Sequence, residues 1–404
     1  MLQAKRIAAL ALAAALCCLP AGAGRAAAAG GQETVPAAAQ PQQGGRFALP
    51  SFDVPAKEAV LVALDTGDLL YAKAPDARVP IASITKVMTL LLTFEAVDSG
   101  RVKLSDPVPV SAHAYSMGGS QIWLEPGERF TLDEMIRAIC ISSANDAAVA
   151  VAEFIGGSEP VFAQRMTARA RELGMQNTSF VNACGLDTEG HFSTARDVAI
   201  MSRELLTRHP DITRYTTIWT DSLRGGATQL TNTNKLLRSY QGITGLKTGT
   251  TGGAGVCIAA SAERGGLPLL AVVLGSASSA ERFAAAAALL DYGFANFEES
   301  GLPDLSAHPQ RLPVTGGAEN AVGLCYPPAQ KLLLKKGEGA ALSAAVTLPK
   351  SLPAPVAAGV RVGTVTLAVG GEQLGSWPIT AAGSVAKMTF EIAFGRLLGA
   401  LTRL

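Results

Sequence analysis

The sequence carries little net charge, few histidines and no apolar segment long enough to cross a membrane. With 34 basic and 33 acidic residues the net charge is +1, so binding of nucleic acid through phosphate neutralisation has no support. The chain has only four histidines, and they lack the spacing of metal ligands: His113, His191, His209 and His308. We therefore expect neither a metal site, such as that of a zinc peptidase, nor a bound cofactor.

The N-terminus has the pattern of a secretory signal peptide, predicted over residues 1–23. Lys5 and Arg6 precede a short apolar run, and small residues at positions 21–23 offer a cleavage site. Residues 24–48 consist mainly of Ala, Gly, Gln and Pro, which cannot bury a core and predict a flexible linker. We therefore expect the rest of the chain to be exported.

Cysteine is sparse after the predicted signal peptide, and no C-x-x-C pair occurs. Export permits disulfides, but nothing in the spacing requires them. We interpret the remaining cysteines mostly as buried small apolar residues, in preference to a disulfide framework: Cys140, Cys184, Cys257 and Cys325.

The main domain is predicted over residues 49–300 and combines helices with strands. A Gly-containing turn separates two short strands in residues 59–72, and a second pair of apolar strands lies in residues 256–274. Between them the sequence has helical periodicity, and residues 279–297 predict an Ala-rich helix. Because the strands are hairpin-linked, the expected fold class is α/β with a mainly antiparallel sheet flanked by helices. Residues 211–240 are polar and weakly patterned, so no element is predicted there.

Two smaller segments follow this domain. Residues 301–382 contain short apolar strands between prolines and glycines, which predict a small all-β sandwich. Residues 383–404 predict an amphipathic helix suited to a membrane interface, which would hold the exported protein at the outer face of the cytoplasmic membrane. The alternative is that this helix packs on the β-domain. Its apolar stripe consists of six residues: Phe390, Phe394, Leu397, Leu398, Leu401 and Leu404.

Ser83 and Lys86 form an S-x-x-K pair in an apolar, helix-like segment, residues 80–92. On a helix the two side chains lie one above the other, and a lysine removed from water can act as the general base for a serine nucleophile. The pair alone is weak evidence, because Ser384 and Lys387 repeat it in the predicted terminal helix. The alternative interpretation is a helix N-cap beside a solvated lysine.

A second motif, Ser143-x-Asn145, lies between two predicted helices within a cluster of residues that favour caps and turns. Ser143 can relay a proton to a leaving amine. Asn145 can hydrogen-bond an amide of a bound peptide. Both roles belong to acyl transfer from a peptide substrate.

The third motif is Lys247-Thr248-Gly249. Lys247 and Thr248 can hold a substrate carboxylate by charge and by hydroxyl, and Gly249 lets a strand pass close to the substrate. These three motifs occur together, in this order, in penicillin-binding proteins and class A β-lactamases. Their joint occurrence is far more specific than any one of them.

From about Phe52 to its end, the sequence resembles the low-molecular-weight serine-type D-alanyl-D-alanine carboxypeptidases. The resemblance implies a transpeptidase-like α/β domain, followed by a β-rich domain and a terminal amphipathic helix. It implies an acyl-enzyme on Ser83, acylation by penicillin, and a peptidoglycan stem peptide ending in D-Ala-D-Ala as substrate. It also implies an oxyanion hole formed by backbone N–H groups of Ser83 and Thr250. Beyond the three motifs it rests on five segments: residues 78–83, 180–182, 185–187, 193–197 and 232–237.

One departure from that family is Thr233, where some members place an arginine thought to help bind the substrate carboxylate. Recognition should then depend more heavily on Lys247 and Thr248. A β-lactamase would need a glutamate that activates the deacylating water, and no glutamate between Asn145 and Lys247 lies in a matching pattern. An endopeptidase of the same chemistry stays open as an alternative. A catalytically silent wall-binding protein would have lost a motif residue, and every one is present.

Overall fold

The structure, a computed structural model, describes residues 46–328 and 330–401. The predicted signal peptide, most of the predicted linker and the last residues of the predicted terminal helix lie outside these ranges. A first domain built around one large sheet is followed by a smaller β-domain and a terminal helix, which confirms the predicted fold class.

A five-stranded sheet forms the centre of the first domain. The strands of this domain are β1 (Glu58–Ala63), β2 (Leu69–Lys73), β3 (Pro107–Pro109), β4 (Arg129–Thr131), β5 (Thr220–Leu223), β6 (Thr228–Thr231), β7 (Ile243–Thr251), β8 (Gly255–Arg264), β9 (Leu267–Ser276) and β10 (Phe297–Gly301). The large sheet has the order β2–β1–β9–β8–β7, and all its neighbours are antiparallel. Every residue of β1 is buried because helices cover both faces, and all its residues after Glu58 are apolar.

Helices pack on both faces of this sheet. They are α1 (Lys86–Asp98), α2 (Ala112–Tyr115), α3 (Leu132–Ile141), α4 (Asn145–Gly156), α5 (Glu159–Glu172), α6 (Ala195–Arg208), α7 (Thr213–Thr216), α8 (Leu236–Ser239) and α9 (Ser279–Asn296). One apolar core joins the sheet to α1, α3, α4, α5 and α6, and a second joins its opposite face to α9. Hydroxyl side chains at Thr131, Ser158, Thr194 and Ser278 accept backbone N–H bonds and so fix where α3, α5, α6 and α9 begin.

Residues 211–240, for which the sequence predicts no element, form α7, the β5–β6 hairpin and α8. The hairpin is attached to α3 by an ion pair in which Arg137 Nη1 lies 2.8 Å from Asp221 Oδ2. Asn232 Nδ2 donates to the carbonyl oxygen of Ile218 at 2.8 Å. Polar contacts of this kind order the segment, and they leave no hydrophobic period in the sequence.

The β-domain contains a six-stranded sheet. Its segment of the chain comprises β11 (Arg311–Thr315), β12 (Ala321–Cys325), β13 (Lys331–Lys335), β14 (Leu342–Thr347), β15 (Leu352–Pro353), β16 (Arg361–Val369) and β17 (Glu372–Ala381). The order β14–β16–β17–β12–β11–β15 is antiparallel except for the β11–β15 pair. Strand β13 pairs instead with β10, and Leu333 is buried in the core of the first domain. Strand β13 thus brings a segment after residue 301 back into contact with the first domain.

The terminal helix α10 (Phe390–Leu401) begins later than the sequence predicts. Residues Ser384–Lys387 are extended, because Val385 pairs with Val356 and is buried in the β-domain core. The second S-x-x-K pair is therefore not on a helix, which corrects the prediction that it is. Within residues 46–328 and 330–401, no helix is both long and apolar enough to cross a membrane.

The four cysteines after residue 23 are free thiols in the structure. Cys140, Cys184 and Cys257 are buried, as predicted, whereas Cys325 is exposed. Burial raises the pKa of Cys140 to about 12 and that of Cys257 to about 11. These two side chains therefore remain neutral thiols at physiological pH.

Candidate active site

Ser83 lies in a short 3₁₀ helix, Ala82–Thr85, which leads directly into α1. We name this helix the nucleophile turn because Ser83 is the predicted nucleophile. Neither of these two helices has a side-chain N-cap, so Ser83 is not the capping residue that the alternative interpretation requires. The Ser83 hydroxyl accepts a hydrogen bond from Lys86 Nζ at 2.8 Å. The predicted serine–lysine pair is therefore in direct contact.

Lys86 is completely buried, which also excludes a solvated lysine. Besides Ser83, its Nζ donates to Asn145 Oδ1 at 2.6 Å and to the carbonyl oxygen of Cys184 at 2.7 Å. Burial lowers the pKa of Lys86 to about 8, against weaker opposing effects of Cys184 and Asp146. A lysine with this pKa can lose its proton near neutral pH and act as a base.

Ser143 and Lys247 form a second serine–lysine pair. Ser143 joins α3 to α4 with a positive φ of 60°, a backbone conformation found in turns and at functional sites. Lys247 Nζ donates to Ser143 Oγ at 2.8 Å and to the carbonyl oxygen of Thr248 at 2.9 Å. Burial, together with the nearby charge of Lys86, holds the pKa of Lys247 well below its usual value. The Lys247 side chain is only 2% exposed, which accounts for the large effect of burial on its pKa.

Asn145, the first residue of α4, connects the two halves of the site. Its Oδ1 accepts from Lys86, as described above, and its Nδ2 donates to the carbonyl oxygen of Gly118 at 2.6 Å. The side chain is 4% exposed. Both ends of the amide group are thus engaged within the protein, and the sequence predicts neither of these two contacts.

Strand β7 passes directly beside the nucleophile turn. A Cβ atom at Gly249 would lie 2.9 Å from the backbone nitrogen of Ser83, so only glycine fits at this position. The sequence predicts that Gly249 allows close approach to the substrate, and the structure shows a close approach to the backbone of Ser83. Thr250 follows on the same strand and is exposed. The hydroxyl oxygens of Thr248 and Thr233 lie 2.6 Å apart. Thr233 therefore borders the site, as expected from the family resemblance, in which some members have at this position an arginine thought to help bind the substrate carboxylate.

A loop over residues 180–191 supports the nucleophile turn and contains positions to which sequence reasoning assigns no role. A Cβ atom at Gly185 would lie 1.9 Å from the Ala82 carbonyl oxygen, and Gly185 has a positive φ of 89°. His191 Nδ1 accepts from the backbone N–H of Val181, so its Nε2 carries the proton and donates to Thr85 Oγ1 at 2.8 Å. In the sequence, this loop is marked only by Gly185 and by the Gly-Leu-Asp segment that begins there.

Arg282 lies behind the third motif and is also missed by sequence reasoning. It is 7% exposed, and its Nη1 donates to the carbonyl oxygen of Gly249 and to that of Cys257, each at 3.2 Å. Burial lowers the pKa of Arg282 below its usual range. Its position inside an Ala-rich helix gives no sign of this contact, because the partner strand is remote in sequence.

Comparisons with known proteins agree with this geometry. Residues 43–278 match the family model described as D-alanyl-D-alanine carboxypeptidase, and residues 306–387 match the C-terminal domain of penicillin-binding protein 5. The chain is 42% identical over 352 residues to the D-alanyl-D-alanine carboxypeptidase DacF of Bacillus subtilis, covering 86% of this chain and 90% of that protein. It is 32% identical over 358 residues to DacC of Escherichia coli, covering 86% and 87%.

Solved structures show the same relationship. Penicillin-binding protein 5 from Haemophilus influenzae has a TM-score of 0.75 at 28% identity, covering 84% of this chain and 99% of that one. Penicillin-binding protein D2 from Listeria monocytogenes, in its ampicillin-bound form, has a TM-score of 0.56 at 32% identity, covering 61% and 100%. The family model covers more than half of the chain, and the relatives match over most of their length. The chain is therefore an enzyme of the D-alanyl-D-alanine carboxypeptidase family, a serine hydrolase that acts on peptidoglycan.

Proposed function

We propose that Ser83 is the nucleophile that attacks the carbonyl carbon of the penultimate D-alanine and forms the acyl-enzyme. The observation that carries this proposal is the 2.8 Å hydrogen bond between Ser83 Oγ and the fully buried Lys86 Nζ. Neutral Lys86 takes the hydroxyl proton as the new C–O bond forms. Penicillin, whose strained amide resembles the scissile bond, acylates the same oxygen.

Ser143 passes a proton to the nitrogen of the departing D-alanine and regains one from Lys247, with which it is hydrogen-bonded. The C–N bond breaks, and the terminal D-alanine leaves as a neutral amine. Lys86 then loses to solvent the proton that it gained from Ser83, and Lys247 regains one from solvent. Water attacks the ester carbonyl carbon while neutral Lys86 accepts its proton. Lys86 passes this proton to Ser83 Oγ as the ester C–O bond breaks, which restores the Ser83 hydroxyl. Backbone N–H groups of Ser83 and Thr250 stabilise the oxyanion in both steps.

The substrate carboxylate is bound by the Thr248 hydroxyl group in a field of positive charge. Lys247 contributes to this field, and buried Arg282 contributes from behind β7 through its contacts with Gly249 O and, at 3.3 Å, Thr250 Oγ1. A buried cation is screened less by solvent than an exposed one. Thr233 fixes the Thr248 hydroxyl, with which it is in contact.

The test is mass spectrometry of the intact protein after brief exposure to penicillin. The wild-type protein should gain one penicillin, and Ser83→Ala should gain none while keeping its thermal unfolding temperature. Ser384→Ala is the matched control, because it removes the serine of the second S-x-x-K pair, which lies in an extended segment of the β-domain. Stoichiometric labelling of Ser83→Ala would contradict the assignment.

We further propose that α10 binds the exported enzyme to the outer face of the cytoplasmic membrane. Four residues of the predicted stripe are exposed: Phe390 80%, Phe394 49%, Leu397 58% and Leu398 47%. Burying such side chains is favourable by about 1.5–3 kcal/mol each, and a membrane interface can accept them. The rings of the two phenylalanines stack at 5.7 Å, which gives the helix one continuous apolar edge.

The membrane proposal is tested in the full chain by Phe390→Ser combined with Phe394→Ser. Wild-type protein should sediment with vesicles of anionic lipid, and the double variant should remain in the supernatant with unchanged hydrolysis of a soluble peptide. Val360→Ala, at an exposed apolar position of the β-domain, is the control. Unchanged sedimentation of the double variant would show that the attachment lies elsewhere.

A further inference from the structure

Trp123 is more exposed than any other large apolar side chain described in the first domain, at 73%. Its neighbours Ile122 and Leu124 are each 1% exposed, so the backbone is anchored on both sides of an outward-pointing indole. Trp123 has a positive φ of 58°, which large side chains seldom adopt. Backbone conformations of this kind persist where the surroundings enforce them, and they are concentrated at functional sites.

The backbone around Trp123 is fixed by hydrogen bonds from two directions. The buried Asp146 carboxylate accepts the backbone N–H groups of Ile122 and Leu124, each at 3.1 Å. Arg224 donates to the carbonyl oxygen of Ile122 at 2.9 Å and to that of Trp123 at 3.0 Å. Arg224 is itself held by Glu128 at 2.7 Å. The indole is therefore presented by a rigid frame.

The same segment forms one border of the catalytic site. Asn145, which contacts Lys86, donates its side-chain amide to Gly118 O at 2.6 Å and its backbone N–H to Ser120 O at 2.7 Å. Asp146, which holds the backbone on either side of Trp123, is the next residue after Asn145. The group that contacts the proposed base and the group that positions the indole are thus adjacent in the chain.

We propose that Trp123 is a specificity-determining residue that packs against the substrate N-terminal to its D-Ala-D-Ala dipeptide, where the stem peptide leads to the glycan. The inference rests on the proposed function, which places the dipeptide between the nucleophile turn and β7. The rest of a polymeric substrate must then leave the cleft across its border. An indole offers a broad apolar face and one N–H donor, which suits the mixed surface of a peptide joined to a sugar. Binding energy from such a remote contact raises kcat/KM.

Three substrates of increasing length test this inference: an acylated tripeptide ending in D-Ala-D-Ala, the full pentapeptide, and the disaccharide pentapeptide. Trp123→Ala should lower kcat/KM for the longest substrate roughly tenfold and leave the tripeptide within about twofold of wild type. Trp123→Phe keeps an aromatic face and should retain most of the activity. The shortest substrate on which the loss appears shows whether the peptide or the sugar makes the contact. Val360→Ala, at an exposed apolar position of the β-domain, is the control.

Two results would overturn the inference. An equal loss on all three substrates would mean that Trp123 acts only by positioning Asn145, and unchanged kinetics on all three would mean that it makes no contact. Thermal unfolding of each variant confirms that the fold is retained. A wild-type protein that hydrolysed none of the peptides would count against the proposed carboxypeptidase reaction and not against the role of Trp123, so the two failures are distinguishable.

Discussion

The rate of acylation by penicillin should rise about tenfold per pH unit up to about pH 8 and level off above it. The reason is that in the proposed mechanism Lys86 must be neutral to take the Ser83 proton, and burial lowers the pKa of Lys86 from 10.5 to about 8. This shift corresponds to about 3 kcal/mol. At pH 7 about one tenth of the protein then carries a neutral Lys86, against about one part in three thousand for an ordinary lysine. The lowered pKa thus increases the fraction of neutral Lys86 at pH 7 roughly 300-fold.

The assay is the second-order rate of acylation between about pH 6 and pH 9.5, on either side of the expected inflection, measured by intact mass after quenching. Lys86→Arg keeps the positive charge but not the accessible pKa, so acylation should fall by a factor of roughly 10³ or more. Lys247→Arg keeps a cation beside Ser143 but does not readily release a proton. It should slow acylation less, while the inflection near pH 8 stays in place.

A rate that is independent of pH over this range, or that rises only at the pKa of an ordinary lysine, would refute the reasoning for Lys86. Loss of the inflection in Lys247→Arg would assign it to the second lysine instead. Equal losses of acylation rate in Lys86→Arg and Lys247→Arg would argue against separate roles for the two lysines. His191 does not interfere, because burial lowers its pKa to about 4, outside the measured range.

The remaining predictions concern stability and the support of the site. Because the unfolded chain protonates His191 near pH 6.5 and the native chain only near pH 4, the free energy of unfolding should fall by about 3 kcal/mol as the pH is lowered between these values. Urea denaturation of His191→Gln should show a correspondingly smaller fall. Gly185→Ala should displace the nucleophile turn and abolish acylation, whereas Gly190→Ala, with a similar φ but more space, should remain active by the same labelling assay. Leu333→Ala should lower the stability of the first domain to urea by about 2–4 kcal/mol, and Leu332→Ala on the other face of β13 by much less.

The sequence predicts the fold where the pattern is local. The β1–β2 hairpin, the apolar β8–β9 pair and the helices that begin at hydroxyl caps all follow from periodicity and turn residues. The terminal helix shows the limit of this reasoning. The sequence predicts a helix from residue 383, but Val385 is buried and pairs with Val356 in the β-domain, so tertiary packing decides where the helix begins.

The candidate site was predictable in its members but not in its contacts. Three motifs in order single out Ser83, Lys86 and Lys247 as candidates. The second S-x-x-K motif, at Ser384, lies in an extended segment. What distinguishes the two copies is burial, which only the folded chain supplies. Lys247 and Ser143 are 104 residues apart in the sequence, so no local pattern predicts their contact.

The two serine–lysine pairs give a reason for having two buried lysines in one site. Charging a buried group is unfavourable, so a reaction that changes the net charge of the site would be slow. Under the roles proposed above, Lys86 gains a proton from Ser83 during acylation, while Lys247 returns one to Ser143. The net charge of the site is then the same before and after the C–N bond breaks, although the positive charge has moved from one lysine to the other. Burial, and then the nearby charge of Lys86, lower the pKa of Lys247. The repulsion between the two ammonium groups favours this exchange, because it disfavours the state in which both are charged.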